Sequence, residues 1–368
     1  MKHNWTYKKL GDVCKVNSGK GIPAELISPN YSPSLFPCYG GNGIRGYVKT
    51  PSHNGVHPII GRVGALCGNV HLAKGEFYAT EHALIVTITD NGVNPEWLSF
   101  LLKYKDLSKI AKGVAQPVIS ASEVMKQELP MPSLDEQQAI VRELDGINRL
   151  IELQEEQLRE YDRLAQSLFY TTFGDPATNP KGWEVKKYGD IFEISSGGTP
   201  SKKVSSYWKN GNIPWIGSNM CQNCVIYETD GKYITQEGLN HSSAKLLPKN
   251  TVLVALVGAT IGKVALLKTE SSTNQNIAFV KPHKDFAAYF VYFHLMNQYD
   301  EFMNIGNGDF KMATQGFIKG LWIMCPPLAL QQSFAAQIEA IEQQKALVRR
   351  SLDETRTLLA ARMQYYFE

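Results

Sequence analysis

The 368-residue chain lacks the marks of several large protein classes. It has no apolar run approaching the roughly 18 residues of a membrane-spanning helix. Its opening stretch, MKHNWTYKKLGDV, contains no apolar signal region, so a cytoplasmic location is expected. The six Cys residues are scattered, which argues against a disulfide framework in a chain of this size. Cys221 and Cys224 form one CxxC. Zinc would need a second pair, and only His241 follows nearby, so free thiols are expected.

Catalytic constellations are also missing. Gly41-Asn-Gly-Ile-Arg-Gly46 fits GxGxxG, but Tyr-Val-Lys-Thr-Pro follows it and no helix can start there. Gly258-Ala-Thr-Ile-Gly-Lys263 is one residue short of a P-loop, and Val264 stands where a magnesium-holding Ser or Thr belongs. A tight turn between strands accounts for it better. Glu228, Asp230 and Lys232 could form a nuclease set, yet the first half of the chain has no counterpart. No Asn-Pro-Pro-Tyr tetrapeptide and no Ser/His/Asp set can be picked out. The sequence therefore offers no convincing catalytic constellation, and no metal or cofactor motif whose spacing holds up. The alternative is a stand-alone nucleotide-binding enzyme or nuclease using Gly258–Lys263.

What the chain does have is an internal repeat. Trp5–Gly19 (WTYKKLGDVCKVNSG) matches Trp183–Gly197 (WEVKKYGDIFEISSG) at an offset of 178 residues. Val63–Val70 matches Val257–Val264 at an offset of 194, which places 16 extra residues in the second half between about Gly198 and Val257. At the same 194 offset, Leu134, Gln137, Gln138, Ile147, Leu158, Leu164 and Phe173 match Leu328, Gln331, Gln332, Ile341, Leu352, Leu358 and Phe367. Each half is a globular part followed by a forty-residue stretch of helical character, Leu134–Phe173 and Leu328–Phe367.

In the first stretch, Ile140, Leu144, Ile147, Ile151, Leu158, Tyr161, Ala165 and Leu168 fall on a heptad. In the second, the positions are Phe334, Ile338, Ile341, Lys345, Val348, Leu352, Thr355 and Leu359. A forty-residue helix is roughly 60 Å long. Gln154 and Lys345 are polar interruptions that either set register or face solvent. Pro130 and Pro132 lead into the first helix, and Pro326 and Pro327 into the second. The linker Gly174–Gly182 reaches at most about 30 Å. The simplest arrangement is an antiparallel helix pair with the two globular parts at opposite ends, a pseudo-twofold made by one polypeptide.

The globular parts mix short apolar runs with Gly, Pro and Asn turns, as in His57–Gly61, Ala83–Thr89, Thr251–Val257 and Asn276–Val280. Helices are expected at Pro95–Tyr104 and Asp285–Gln298. The fold class is mixed α/β, with two β-rich α/β domains. The apolar content of 43% suffices for two cores. Charge is uneven. The first helical stretch has nine acids and four bases, net −5; the second has four acids and five bases, net +1. With +3 overall, the globular parts and linker carry +7. A surplus of that size is compatible with a nucleic-acid surface.

The ordered set of motifs resembles the specificity subunits of type I restriction–modification systems over nearly the whole chain. In the first half the resemblance rests on Trp5 with Leu-Gly-Asp, Tyr39–Tyr47 (YGGNGIRGY), Gly61–Gly64, Ala79–Ala83 (ATEHA), Ala115-Gln-Pro117, Pro132–Gln137 and Phe173–Pro176. In the second it rests on Ile213–Gly217, Gly258–Gly262 and Pro326–Gln331. The resemblance implies target recognition domains at 1–133 and 183–327, spacer helices at 134–173 and 328–368, and a linker at 174–182. It implies a non-catalytic subunit that binds double-stranded DNA at an asymmetric bipartite target. Methyltransferase subunits, two of them expected, would bind it, and restriction subunits would join through the complex. S-adenosylmethionine, ATP and magnesium would belong to those partners. Helix length would then set the number of unread base pairs.

Two departures stand out. Pro327–Gln331 lacks the acidic pair Asp135-Glu136 of the first half, and the sequence given stops at Glu368, just past the second helix. On this reading, polar and basic residues in Gly-rich loops are the candidate DNA-binding residues: Lys20, Asn42, Arg45, Tyr47 and Arg62 in the first half. In the second they are Lys202, Lys203, Ser218, Asn219, Lys232, Lys263 and Lys311. A surface Lys is also an ordinary solvated charge, and Asn42 and Arg45 also suit a turn. Glu81-His82 and Gln275-Asn276 occupy equivalent places and are expected to be structural.

Overall fold

The computed structural model describes residues 5–113, 116–305 and 312–368. These form two compact units, Met1–Glu155 with Arg350–Glu368, and Glu156–Arg349. Each unit therefore takes part of both long helices.

The first unit contains β1 (Thr6–Lys9), α1 (Leu10–Val13), β2 (Cys14–Ser18), β3 (Phe36–Gly40), β4 (Gly43–Val48), β5 (His53–Gly61), β6 (Val70–Ala79) and β7 (Ala83–Ile88). Helix α2 (Pro95–Tyr104), α3 (Ala121–Met125) and β8 (Glu128–Met131) follow, and then the first part of α4 (Leu134–Phe173). The main sheet has the order β2-β7-β5-β6-β3-β4, and only β3 and β6 run parallel. Alternation along its strands explains the packing. Ile60, Val70, Leu84 and Val86 face the core formed with Trp97, Leu98 and Leu101 of α2. Ile59, Ala73, Ala83 and Ile85 face a second cluster with Tyr39 and Phe77. Gly55 and Gly75 oppose each other across the β5–β6 hairpin, both at positive φ. Glycine tolerates that conformation, and the pairing runs through it without a shift of register.

Helix α2 is set by Asn94, whose side chain accepts from the Glu96 and Trp97 N–H groups ahead of Pro95 at the first helical position. The start of α4 carries a reciprocal cap: Ser133 N donates to the Glu136 carboxylate, and Glu136 N donates to Ser133 Oγ. One turn in, the fully buried Gln137 ties α4 to the domain. Its Oε1 accepts from Asn94 N (2.7 Å), and its Nε2 donates to Gly92 O (2.8 Å) and Pro132 O (3.0 Å).

The second unit begins with the remainder of α4, followed by β9 (Val185–Lys187), α5 (Tyr188–Ile191), β10 (Ile194–Ser196), β11 (Ile213–Ile216), β12 (Cys224–Ile226), β13 (Tyr233–Ile234), α6 (Gln236–Asn240), β14 (Val252–Ala255), β15 (Val264–Leu267), β16 (Ser272–Thr273) and β17 (Ile277–Val280). It ends with α7 (Ala288–Met296), α8 (Tyr299–Met303), α9 (Gln315–Gly320), β18 (Trp322–Met324) and the start of α10 (Leu328–Phe367). Helix α7 starts three residues later than the expected Asp285 because Asp285–Ala287 is held in a turn. Phe286 N donates to His283 O, and Ala287 N donates to the buried Gln331. The sheets are β10-β17-β14-β15-β12, β13-β11-β16 and the pair β18-β9. Val252, Val254, Val264 and Leu266 face the α7 side, while Leu253, Ala255, Ala265 and Leu267 face the other core. Burial on both faces explains their unbroken apolar runs.

Gln331 repeats the tie made by Gln137. It accepts from Ala287 N (3.0 Å) and donates to Asp285 O (3.4 Å) and Pro326 O (2.9 Å). Helix α10 has no acid in its first turn.

Within each unit α4 and α10 pair antiparallel. In the first, Glu143 meets Arg362 and Tyr366, Gln154 Nε2 donates to Ser351 Oγ (2.8 Å), and Glu155 pairs with Arg356 (2.7 Å). Leu359, Met363, Tyr366 and Phe367 pack on the first unit's core, so the end of α10 does close onto that domain. In the second, Lys345 bridges Glu342 (2.6 Å) and Asp162 (2.7 Å), and Phe334 packs against Phe169 and Phe173. Gln154 and Lys345 are each only 7% exposed. Both are buried polar layers, not solvent-facing residues.

Candidate nucleic-acid interface

In the first unit the stretch Ala79–His82 at the end of β6 gathers three loops by backbone bonds. Lys20 N donates to Ala79 O, Thr80 N to Tyr39 O, and Arg62 N to His82 O, while Gly41 lies against His82 O and Val63 O. The end of β2, the β3–β4 turn and the β5–β6 loop therefore share one edge of the sheet. Lys20, Asn42, Arg45 and Arg62 come together there. Lys20, Asn42 and Arg45 are exposed; Arg62 is half-buried and its Nη1 donates to Glu81 O (3.3 Å). Tyr47 sits two residues along β4 from Arg45. Its backbone exchanges bonds with Ser28 and its ring packs edge-on against Tyr31.

The second unit repeats this skeleton. Gly198 N donates to Thr273 O, Asn274 N to Ile216 O, and Leu256 N to Asn276 O. These are the counterparts of the Lys20, Thr80 and Arg62 bonds. Asn42 and Asn219 thus occupy one position of the repeat, following strands β3 and β11 that run parallel to β6 and β16. Glu81-His82 and Gln275-Asn276 form the shared turn in each unit.

The facing side chains differ. Lys202 and Lys232 line one shallow depression with Trp208, Trp215 and Tyr233. Trp215 Nε1 donates to Gly198 O (3.1 Å), and Lys203 neighbours Lys202 in the same turn. Lys232 is paired to Asp230 (2.5 Å), and that hydrogen bond, with a further one from Asn219, holds the Asp230 carboxyl below its ordinary range. Ser218 and Asn219 occupy a single 3-10 turn after β11. Lys263 Nζ donates to Gln222 Oε1 (2.7 Å), away from the Lys202 depression. Lys311 lies outside the described residues.

Asn69 escaped the sequence reading. It is exposed, and its Nδ2 donates to Asn42 Oδ1 (2.9 Å). The signal was there in the repeat, since Asn69 is the match of Lys263.

Gly258–Lys263 is a turn between β14 and β15, with Gly258 and Gly262 at positive φ and the Lys263 amine held by Gln222. No helix follows to cradle a phosphate. Cys221 is fully buried and its thiol is pushed well up by burial. Among the described residues no group of three or more His, Cys, Asp or Glu is arranged to hold a metal, and no helix is long and apolar enough to cross a membrane.

Comparison with known proteins matches residues 2–161 and 180–355 to the family model described as type I restriction modification DNA specificity domain. The type I restriction enzyme EcoprrI specificity subunit of Escherichia coli is 43% identical over 144 residues, 39% of this chain and 36% of the relative. The EcoR124I/EcoR124II specificity subunit of the same organism is 34% identical over 128 residues, 33% of this chain and 31% of the relative. The chain thus spans about a third of the length of these two curated relatives. The crystal structure of a type I restriction–modification system S subunit from M. genitalium shares the fold, with a TM-score of 0.65 at 15% identity over 100% of this chain and 97% of that one. With both halves of its repeat matched by one family model, the chain belongs to the type I restriction modification DNA specificity domain family.

Proposed function

We propose that the chain is a DNA-recognition subunit that reads an asymmetric bipartite target, one half-site per unit. The carrying observation is that one backbone skeleton occurs twice and presents different side chains at the same edge. An Arg matches the paired acceptors of guanine and an Asn the acceptor–donor edge of adenine. Arg45, Arg62, Asn42 and Asn219 are the readers on this view. Lys20, Lys202, Lys203 and Lys232 hold phosphates, which fix register without reading sequence. The Lys202 depression, walled by two Trp rings and a Tyr, suits a sugar–phosphate edge. Lys311 remains a candidate on charge alone.

The chain itself performs no chemistry in this account. Methyltransferase subunits, two per chain, carry S-adenosylmethionine, and restriction subunits carry ATP and magnesium. The cytoplasm is the compartment. Helices α4 and α10, equal at forty residues, set the number of unread base pairs between half-sites. Selection of targets from a random duplex pool by the chain assembled with its methyltransferase tests this. Two short defined half-sites at one fixed spacing are expected. Enrichment of no sequence, together with nucleotide hydrolysis by the chain alone, would overturn it.

A further inference from the structure

The β5–β6 turn and the β14–β15 turn are bonded alike. Gly61 N donates to Asn69 O, Gly68 N to Gly61 O and Asn69 N to Leu66 O (2.8, 2.8 and 3.2 Å). Ala255 N donates to Lys263 O, Gly262 N to Ala255 O and Lys263 N to Thr260 O (2.9 Å each). Gly68 and Gly262 both take positive φ, which fixes the chain just before the variable residue. Position 69 in one unit and 263 in the other are thus held by the same backbone bonds and differ only in side chain.

Both side chains do the same thing with different chemistry: each donates to an exposed amide in the loop that follows β3 or β11. Asn69 Nδ2 donates to Asn42 Oδ1. That bond engages the Asn42 oxygen and the Asn69 NH2, so the Asn42 NH2 and the Asn69 oxygen are the groups the pair has left to offer, and both residues are exposed. The pair shows a donor next to an acceptor, the complement of the N7 acceptor and N6 donor of adenine. Lys263 Nζ donates to Gln222 Oε1, and Gln222 Nε2 is already used on Asn219 O (3.1 Å). What remains there are the other ammonium N–H groups, donors only, which complement the O6 and N7 acceptors of guanine.

We infer that position 69/263 is a specificity-determining position in each unit. Asn69 orders an amide pair that selects adenine, and Lys263 is a fixed donor that selects guanine. The inference rests on the interface proposed above. Its test is target selection from random duplex DNA by the assembled methyltransferase complex, with each variant's melting profile recorded. Asn69→Lys is expected to change one base of one half-site from adenine to guanine by about tenfold. Lys263→Asn is expected to make the reverse change in the other half-site, with spacing untouched. If either exchange fails to fold, Asn69→Ala and Lys263→Ala are expected to lose about tenfold discrimination at the same single positions.

An unchanged half-site, or equal weakening at every position as for a phosphate contact, overturns the inference. Failure of the interface itself is told apart by the Arg45→Ala, Arg62→Ala double variant. If that variant keeps full selectivity, the interface is wrong. If it loses one half-site while Asn69→Lys changes nothing, only the role of position 69/263 is wrong.

Discussion

The two units share a skeleton and differ in what they attach to it. In both, a buried glutamine ties the domain to its own long helix, with Oε1 and Nε2 bonded to the same kinds of backbone group. In both, one turn gathers the loops: that between β6 and β7 in the first unit and that between β16 and β17 in the second. Between β2 and β5 the first unit has one hairpin joined to the main sheet, whereas between β10 and β14 the second has β11, β12, β13 and α6 and a separate three-stranded sheet. That stretch carries the Lys202 depression and also buries Ile213, Trp215, Ile234 and Ala244 in a small cluster of its own. The backbone bonds repeat, both at the helix tie and at the gathered loops; the side chains presented there do not.

Several experiments probe that contrast. The largest effect is expected at the shared ties. Gln137→Leu and Gln331→Leu each leave buried backbone groups unpaired, so each should cost roughly 2–4 kcal/mol in urea unfolding. Similar losses at both sites support a common skeleton, and a loss at only one breaks it.

Next comes a difference inside the cores. His294 is fully buried, accepts from Met324 N through Nε2 (3.2 Å) and faces Tyr188 Oη through Nδ1 (3.1 Å). Burial lowers its pKa from 6.5 to about 3. Between those values the unfolded chain binds the proton and the folded unit does not. Stability contributed by His294 is therefore full above about 6.5 and falls with pH by up to about 1.4 kcal/mol per unit toward about 3. Counting from the glutamine ties, its counterpart is the buried Leu101, which has no proton to gain. Urea titrations from pH 7 to 5 should show this slope, and His294→Leu should flatten it whatever its effect at neutral pH.

A smaller effect is expected in the helices. Gly146 in α4 matches Ala340 in α10, and a Cβ added at Gly146 meets nothing within 4 Å. Gly146→Ala should stabilise the chain by roughly 0.5–1 kcal/mol in thermal melts. Smallest is the release of Lys232. Asp230→Asn removes its partner and should tighten binding of non-specific duplex by about twofold, steepening the salt dependence.

Much of this organisation could be read from the sequence because it is local. The long helices are free of Pro, with their heptads visible and Pro pairs before them, and they run Leu134–Phe173 and Leu328–Phe367. The Asn94-Pro95 cap announces α2. What could not be read is non-local. Gln137 and Gln331 stood out as a matched pair, but their bonds reach loops more than forty residues away. Burial of Gln154 and Lys345 depends on the facing helix. Asn69 looked like any loop Asn until Asn42 appeared beside it. The equivalence of Asn42 and Asn219 was hidden because the repeat offset changes between them.

The divergent loops on the shared skeleton are proposed to read separate half-sites. Mapping methylated bases in cells that carry the chain or its variants with their methyltransferase tests it most directly. The Asn42→Ala, Arg45→Ala pair should degrade one half-site, and the Ser218→Ala, Asn219→Ala pair the other, with spacing constant in both. Loss of the same half-site by both pairs, or uniform loss across every base of the target, would contradict it.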